Sequence, residues 1–209
     1  TSAQAAVLTS AQTAALSTDQ IRALQTIDLQ AIKTNALAAI GTASANALKT
    51  SQIANLTTSQ VAGLGTANFA ALSTDGIVAL TTGQVSGLTT AEVAALTTDQ
   101  AAAIETRDLV VLKTSQIAAM SSAATAALTT GQIVALTSDQ VSGLTTANIA
   151  ALTSDQARAL TTVDLQQLTT AQVNALTTAN AAALQTAQIA ALTSAQVKGL
   201  STANVAALD

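Results

Sequence analysis

The densest grouping of ionisable side chains in this sequence is Glu105, Arg107 and Asp108. Paired carboxylates can do acid–base work when their surroundings separate their proton affinities. With an arginine between them, the expectation is instead a solvated helix start carrying a local ion pair. Serine and threonine abound, but a hydroxyl becomes a nucleophile only beside a base. There is no His and no Cys, and the few Lys are scattered. Metal binding needs converging oxygens, whereas Asp19, Asp75, Asp99, Asp139 and Asp155 are too sparse for a repeated calcium ladder. The glycines form no phosphate-cradling loop. No catalytic, cofactor-binding or metal-ligating residue is assigned, no cofactor is expected, and the chain is expected not to be an enzyme.

The frame around these residues is a strict period of eight. Thr169–Leu176 (TTAQVNAL) is one copy of an octad written 26 times, followed by Asp209. Residues 1–209 are read as one continuous array with no internal boundary, since no Pro/Gly-rich linker or charge block interrupts it. Position 8 is always Leu, Ile or Met and position 2 always Ser or Thr. Position 5 is mostly Ile, Val or Leu, position 7 almost always Ala or Gly, and position 4 usually Gln, Asn, Asp or Glu. Positions 3 and 6 vary and are expected to face water. Phe69 and Met120 fall on positions 5 and 8 and read as core filling. The weakest copies are residues 1–16, where Ala5 and Thr13 replace a branched aliphatic, residues 25–48, and Ser121–Leu128 (SSAATAAL).

Three backbones can carry a period of eight. A single long helix fails, because apolar steps of three and five need 4.0 residues per turn and the stripe would rotate by about 80° per octad. A β-solenoid suits an even period, but positions 5 and 8 would point to opposite faces of a strand. Its turns also lack fixed Gly, Asn or Asp corners. Short helices broken once per octad fit best. The position-2 hydroxyl reads as the N-cap. A second register, a capping box from position 1 to the position-4 Gln or Glu, stays open. The charges agree with helices: nine acids lie at positions 3 and 4, and six of seven bases lie at position 6 or the next position 1. That is the sorting a helix dipole favours.

One octad buries too little to stand alone, so neighbours must stack. The expected fold is an all-α repeat solenoid of short helices, one per octad, with two octads per coil and a β-solenoid as the alternative. Three octads per coil also remains open. Thirteen two-octad coils would make a rod roughly 100–130 Å long. Small position-7 residues, including Gly63, Gly87, Gly143 and Gly199, would let successive backbones approach closely.

Net charge is −4, with 7 basic and 11 acidic side chains. There is no basic surface for nucleic acid and no run of about 18 apolar residues for membrane insertion. The regular hydroxyls, as in Thr81–Thr82, Thr89–Thr90 and Thr97–Thr98, would form ladders along the rod. Such a face suggests a ligand-, glycan- or ice-binding module as a second reading.

In its LTTAQVAAL-type octads, such as Thr89–Leu96 (TTAEVAAL) and Thr145–Leu152 (TTANIAAL), the whole chain resembles low-complexity repeat regions of very long bacterial surface and secreted proteins, adhesin-like ones included. That resemblance implies a rod, stalk or fibre-forming segment on the cell exterior, with no catalytic residue to carry over. The expected partner is further repeats or a second copy, joined end to end.

Overall fold

The computed structural model describes residues 1–208. Twenty-six helices lie among them, one per octad, from α1 (Ser2–Ala5) to α26 (Thr202–Ala207), each four to six residues long; no strand is present among the described residues. The chain is an all-α repeat solenoid, and the β-solenoid alternative is ruled out.

Helices this short satisfy few of their own main-chain groups, so their ends must find partners elsewhere. The octad supplies them, in a register one residue away from the expected one. The helix starts at position 2 and position 1 is the N-cap, except in α6 (Gly41–Asn46), which starts at position 1 after Ile40. In α8 (Thr58–Ala62), Thr57 is extended (φ −68°, ψ 154°) and its hydroxyl accepts from the Gln60 N–H at 3.1 Å. The Thr57 N–H in turn donates to Gln60 Oε1 at 2.9 Å. This is the capping box that position 2 was expected to replace. The Gln half of the box explains why position 1 tolerates residues that cannot cap. The main-chain N–H of Lys49 donates to Gln52 Oε1 at 2.9 Å and that of Gln185 to Gln188 Oε1 at 2.7 Å. Two predictions follow from the other half. Thr57→Ala should cost about 1 kcal/mol in urea unfolding, and Lys49→Thr should recover a similar amount.

At the other end of each octad, Leu at position 8 is extended (Leu56: φ −62°, ψ 146°), and this turns the chain toward the next helix. The Leu64 N–H closes the turn by donating to the Val61 carbonyl at 3.2 Å.

The coil holds three octads, not two. Helix α1 packs on α4 (Thr26–Ala31), α12 (Thr90–Ala94) on α15 (Thr114–Ala119), and α13 (Thr98–Ala103) on α16 (Ser122–Ala127). Each coil is therefore a 24-residue triangle, and 26 octads make fewer than nine coils. At the usual spacing between packed helices the rod is roughly 70–90 Å long, shorter than a two-octad coil would give.

Positions 5 and 8 point inward from all three sides and form one continuous core, from Ile21 and Leu29 through Phe69, Ile117 and Ile149 to Leu176. Thr13 and Thr125 occupy core positions yet are fully buried, because each hydroxyl donates to the carbonyl four residues earlier, at 3.0 Å. Position 3 is exposed throughout most of the array, as expected. Position 6 is mixed: Gln30, Asn46 and Gln166 use it to donate to a position-7 carbonyl 25 residues on.

Position 2 packs where it was expected to cap, and where it is Thr its methyl makes the contact. A Cβ placed on Gly63, Gly87, Gly143 or Gly199 would lie 1.7–2.2 Å from the Cγ2 of Thr34, Thr58, Thr114 or Thr170, each 29 residues earlier. Position 2 therefore packs beneath position 7 of the next coil. That contact is the close approach expected of the small residues.

Candidate functional site

Glu105, Arg107 and Asp108 do meet, at the start of α14 (Thr106–Leu109). Arg107 pairs with Glu105 and reaches Asp108 Oδ2 at 3.6 Å. The expected solvation holds only in part. Arg107 is exposed, but Asp108 is buried, because position 4 lies at the coil junction. Its Oδ1 accepts from the Thr82 hydroxyl of the preceding coil at 2.6 Å. The same bond joins Ser138 to Asp164 at 2.9 Å and Ser2 to Asp28 at 3.0 Å. These carboxylates are structural acceptors.

Asp19, Asp75, Asp99, Asp139 and Asp155 sit exposed in the first turns of five separate helices. Only Asp75 and Asp99 lie on the same corner in consecutive coils. No group of three or more potential metal-ligating acids comes together among the described residues.

The threonine pairs do not stack as expected. Thr81–Thr82, Thr89–Thr90 and Thr97–Thr98 belong to consecutive octads and so lie on three different corners. A ladder instead runs every 24 residues, as in Thr97, Ser121, Thr145, Thr169 and Thr193. These position-1 hydroxyls are occupied as caps. Thr145 and Thr169 also spend their protons, donating to Asn148 Oδ1 at 2.5 Å and Gln172 Oε1 at 2.8 Å.

The arrangement that recurs most regularly is at position 4, which is buried although it reads as a polar surface position. Gln84 Nε2 donates to the carbonyls of Ile53 (2.9 Å) and Leu56 (2.7 Å) in the coil beneath. Gln140 does the same to Leu109 (3.0 Å) and Leu112 (2.7 Å), and Gln196 to Leu165 and Leu168, both at 2.7 Å. One amide thus caps its own helix through Oε1 and ties two helix-end carbonyls of the preceding coil through Nε2. The signal for this was present in the sequence: position 4 is held to amides and acids much more tightly than position 3.

Ala36, Ser44, Gly76 and Ala124 bring no amide or acid to position 4, and two further features stand out. Glu92 stands at position 4, and its Oε1 is buried with no hydrogen-bond partner. At the first coil, a cavity of about 170 Å³ is lined by Thr1, Gln4, Ala5, Leu8, Leu24 and Asp28. No helix among the described residues is long and apolar enough to cross a membrane.

A family model described as the ALTTAQ repeat matches residues 21–58, 56–90, 101–138, 133–162, 149–186, 159–194 and 182–209. No curated protein matches the chain.

Proposed function

We propose that this chain, which belongs to the ALTTAQ repeat family, works as a non-catalytic structural rod, a spacer, stalk or fibre-forming segment of a bacterial surface protein. One observation carries this reading: a position-4 amide ties coil to coil at most junctions of the array, from Gln52 on Leu24 to Asn204 on Leu176. A rod built by one repeated junction keeps its cross-section and gains length with each copy, as nearest-neighbour arrays do. The uniform use of hydroxyls and amides inside the structure supports a scaffold over a reaction site. Placement on the cell exterior rests on the likeness of the octad to repeat regions of bacterial surface proteins.

The same junction supports end-to-end continuation. The partner is further repeats or a second copy of the chain.

Small-angle scattering tests the rod. A cylinder of this length has a radius of gyration of about 24 Å, against about 17 Å for a globular chain of equal size. The globular value would refute the reading, and the rod value would support it. Surface labelling of intact cells with an antibody to the repeat tests the exterior placement.

A further inference from the structure

At the junction between α12 and the coil beneath it, the position-4 side chain brings no amide; of the two carbonyls below, that of Leu64 is met by Asn68 Nδ2 at 3.1 Å, which leaves the Val61 carbonyl as the one to be satisfied from above. A Gln at residue 92 would donate to the carbonyls of Val61 and Leu64, 31 and 28 residues earlier, as Gln84 and Gln100 do to theirs. The residue is Glu92, only 1% exposed. Its Oε2 takes the capping role, accepting from the Thr89 N–H at 2.8 Å and the Thr89 hydroxyl at 3.0 Å. Its Oε1 occupies the place of the missing amide and has no donor. The half-buried Asp28 and the buried Asp108 and Asp164 are each met by a position-2 hydroxyl from the preceding coil. The corresponding hydroxyl for Glu92 belongs to Thr66, and no such bond forms.

A carboxylate oxygen facing carbonyl oxygens in a buried site is repelled by them; a protonated one is a donor. We infer that Glu92 spans this junction as a neutral carboxylic acid whose Oε1 hydroxyl donates to the Val61 carbonyl, so that the junction tightens when the acid is protonated and loosens when it ionises. The α12 joint is thus pH-sensitive, whereas the neighbouring joints at Gln84 and Gln100 are built from amides.

Burial raises the Glu92 pKa above the ordinary 4.5, with the two Thr89 hydrogen bonds opposing part of the rise. No competing charge pairs with Glu92. Helices α8, α9 (Thr66–Ala70) and α11 (Thr82–Ser86) carry no ionisable side chain. Helix α15 brings only Lys113, at its N-cap, and α13 only the exposed Asp99. The ion pairs among the described residues all belong to Arg107. For an acid whose folded pKa is raised, the unfolded chain ionises first as pH climbs. The stability that protonated Glu92 contributes is full below pH 4.5 and is lost as pH rises through the folded pKa.

Hydrogen exchange on the full chain and on Glu92→Gln, compared at the same pH so that intrinsic rates cancel, tests this. At about pH 8, Glu92→Gln should slow exchange in residues 57–64 and 89–96 by roughly tenfold for each unit by which the folded pKa is raised. At about pH 4 the two proteins should exchange alike there. Equal rates at both pH values, or faster exchange in the variant at the higher pH, would overturn the inference. A second readout does not depend on stability. At a pH just above 4.5, the infrared difference between the two proteins should show a protonated carboxyl, and a carboxylate band instead would count against it.

Discussion

Gln140→Leu is expected to destabilise the array by about 3 kcal/mol or more, although leucine matches glutamine in bulk and is more apolar. The substitution removes three hydrogen bonds at once, two of them buried. The Thr137 N–H loses Oε1, at 2.9 Å. The Leu109 and Leu112 carbonyls lose Nε2. Each unmade buried bond costs roughly 1–3 kcal/mol, of which the added apolar surface returns only part. The loss should be local first, with the amides of residues 105–112 and 137–144 gaining exchange before those of distant coils, because a solenoid's stability is a sum over neighbours. An unchanged denaturant midpoint together with unchanged protection would show that position 4 does not hold the coils together. Gln140→Ala should lose the same bonds and open a void as well, and so should be no better tolerated.

Phe69→Ala should cost about 3–5 kcal/mol, as large-to-small changes at fully buried aromatic sites do. Phe69 is the one aromatic residue of the chain and is 0% exposed. One coil earlier, the same column carries Ala45, which is also fully buried and lies on a helix that packs directly against α9. The ring therefore uses room left by a small neighbour, and its removal stacks two alanines where the core is one side chain thick. The double variant Phe69→Ala with Ala45→Leu should regain part of the loss. The coupling expected between touching core residues is on the order of 0.5–3 kcal/mol, measurable in a double-mutant cycle. Strict additivity would mean that the two positions do not share one space.

Much of this architecture can be read from single positions. The apolar spacing of positions 5 and 8 identifies the core, and the acids at positions 3 and 4 mark the first turn of each helix. What misleads is position 2. Its invariance looks like a cap, yet the methyls of Thr34 and Thr170 pack against the helix above them, a contact between residues 29 apart that no window of one octad contains. Position 4 misleads in the opposite direction: Gln60 and Gln140 look like surface residues because their partners, at Ile32 and Leu112, belong to another coil. The number of octads per coil is hidden for the same reason, since every octad is locally alike whether two or three close a turn. Glu105, Arg107 and Asp108 show the same limit. Their ion pair follows from proximity in sequence, whereas the burial of Asp108 follows from Thr82, 26 residues away.

The three-octad coil underlies all of these assignments, and a distance between two spin labels tests it most directly. The sequence has no Cys, so Ser59→Cys and Gly131→Cys would be the only labelled sites. Both positions are exposed, and a Cβ on Gly131 meets nothing closer than 3.8 Å. In a 24-residue coil they lie on one corner three coils apart, so their backbones should be roughly 24–30 Å from each other. A two-octad coil would put four and a half coils between them, on opposite sides, at roughly 36–45 Å or more. The shorter distance is the expected result, and the longer one would contradict the three-sided coil together with the junctions assigned to it.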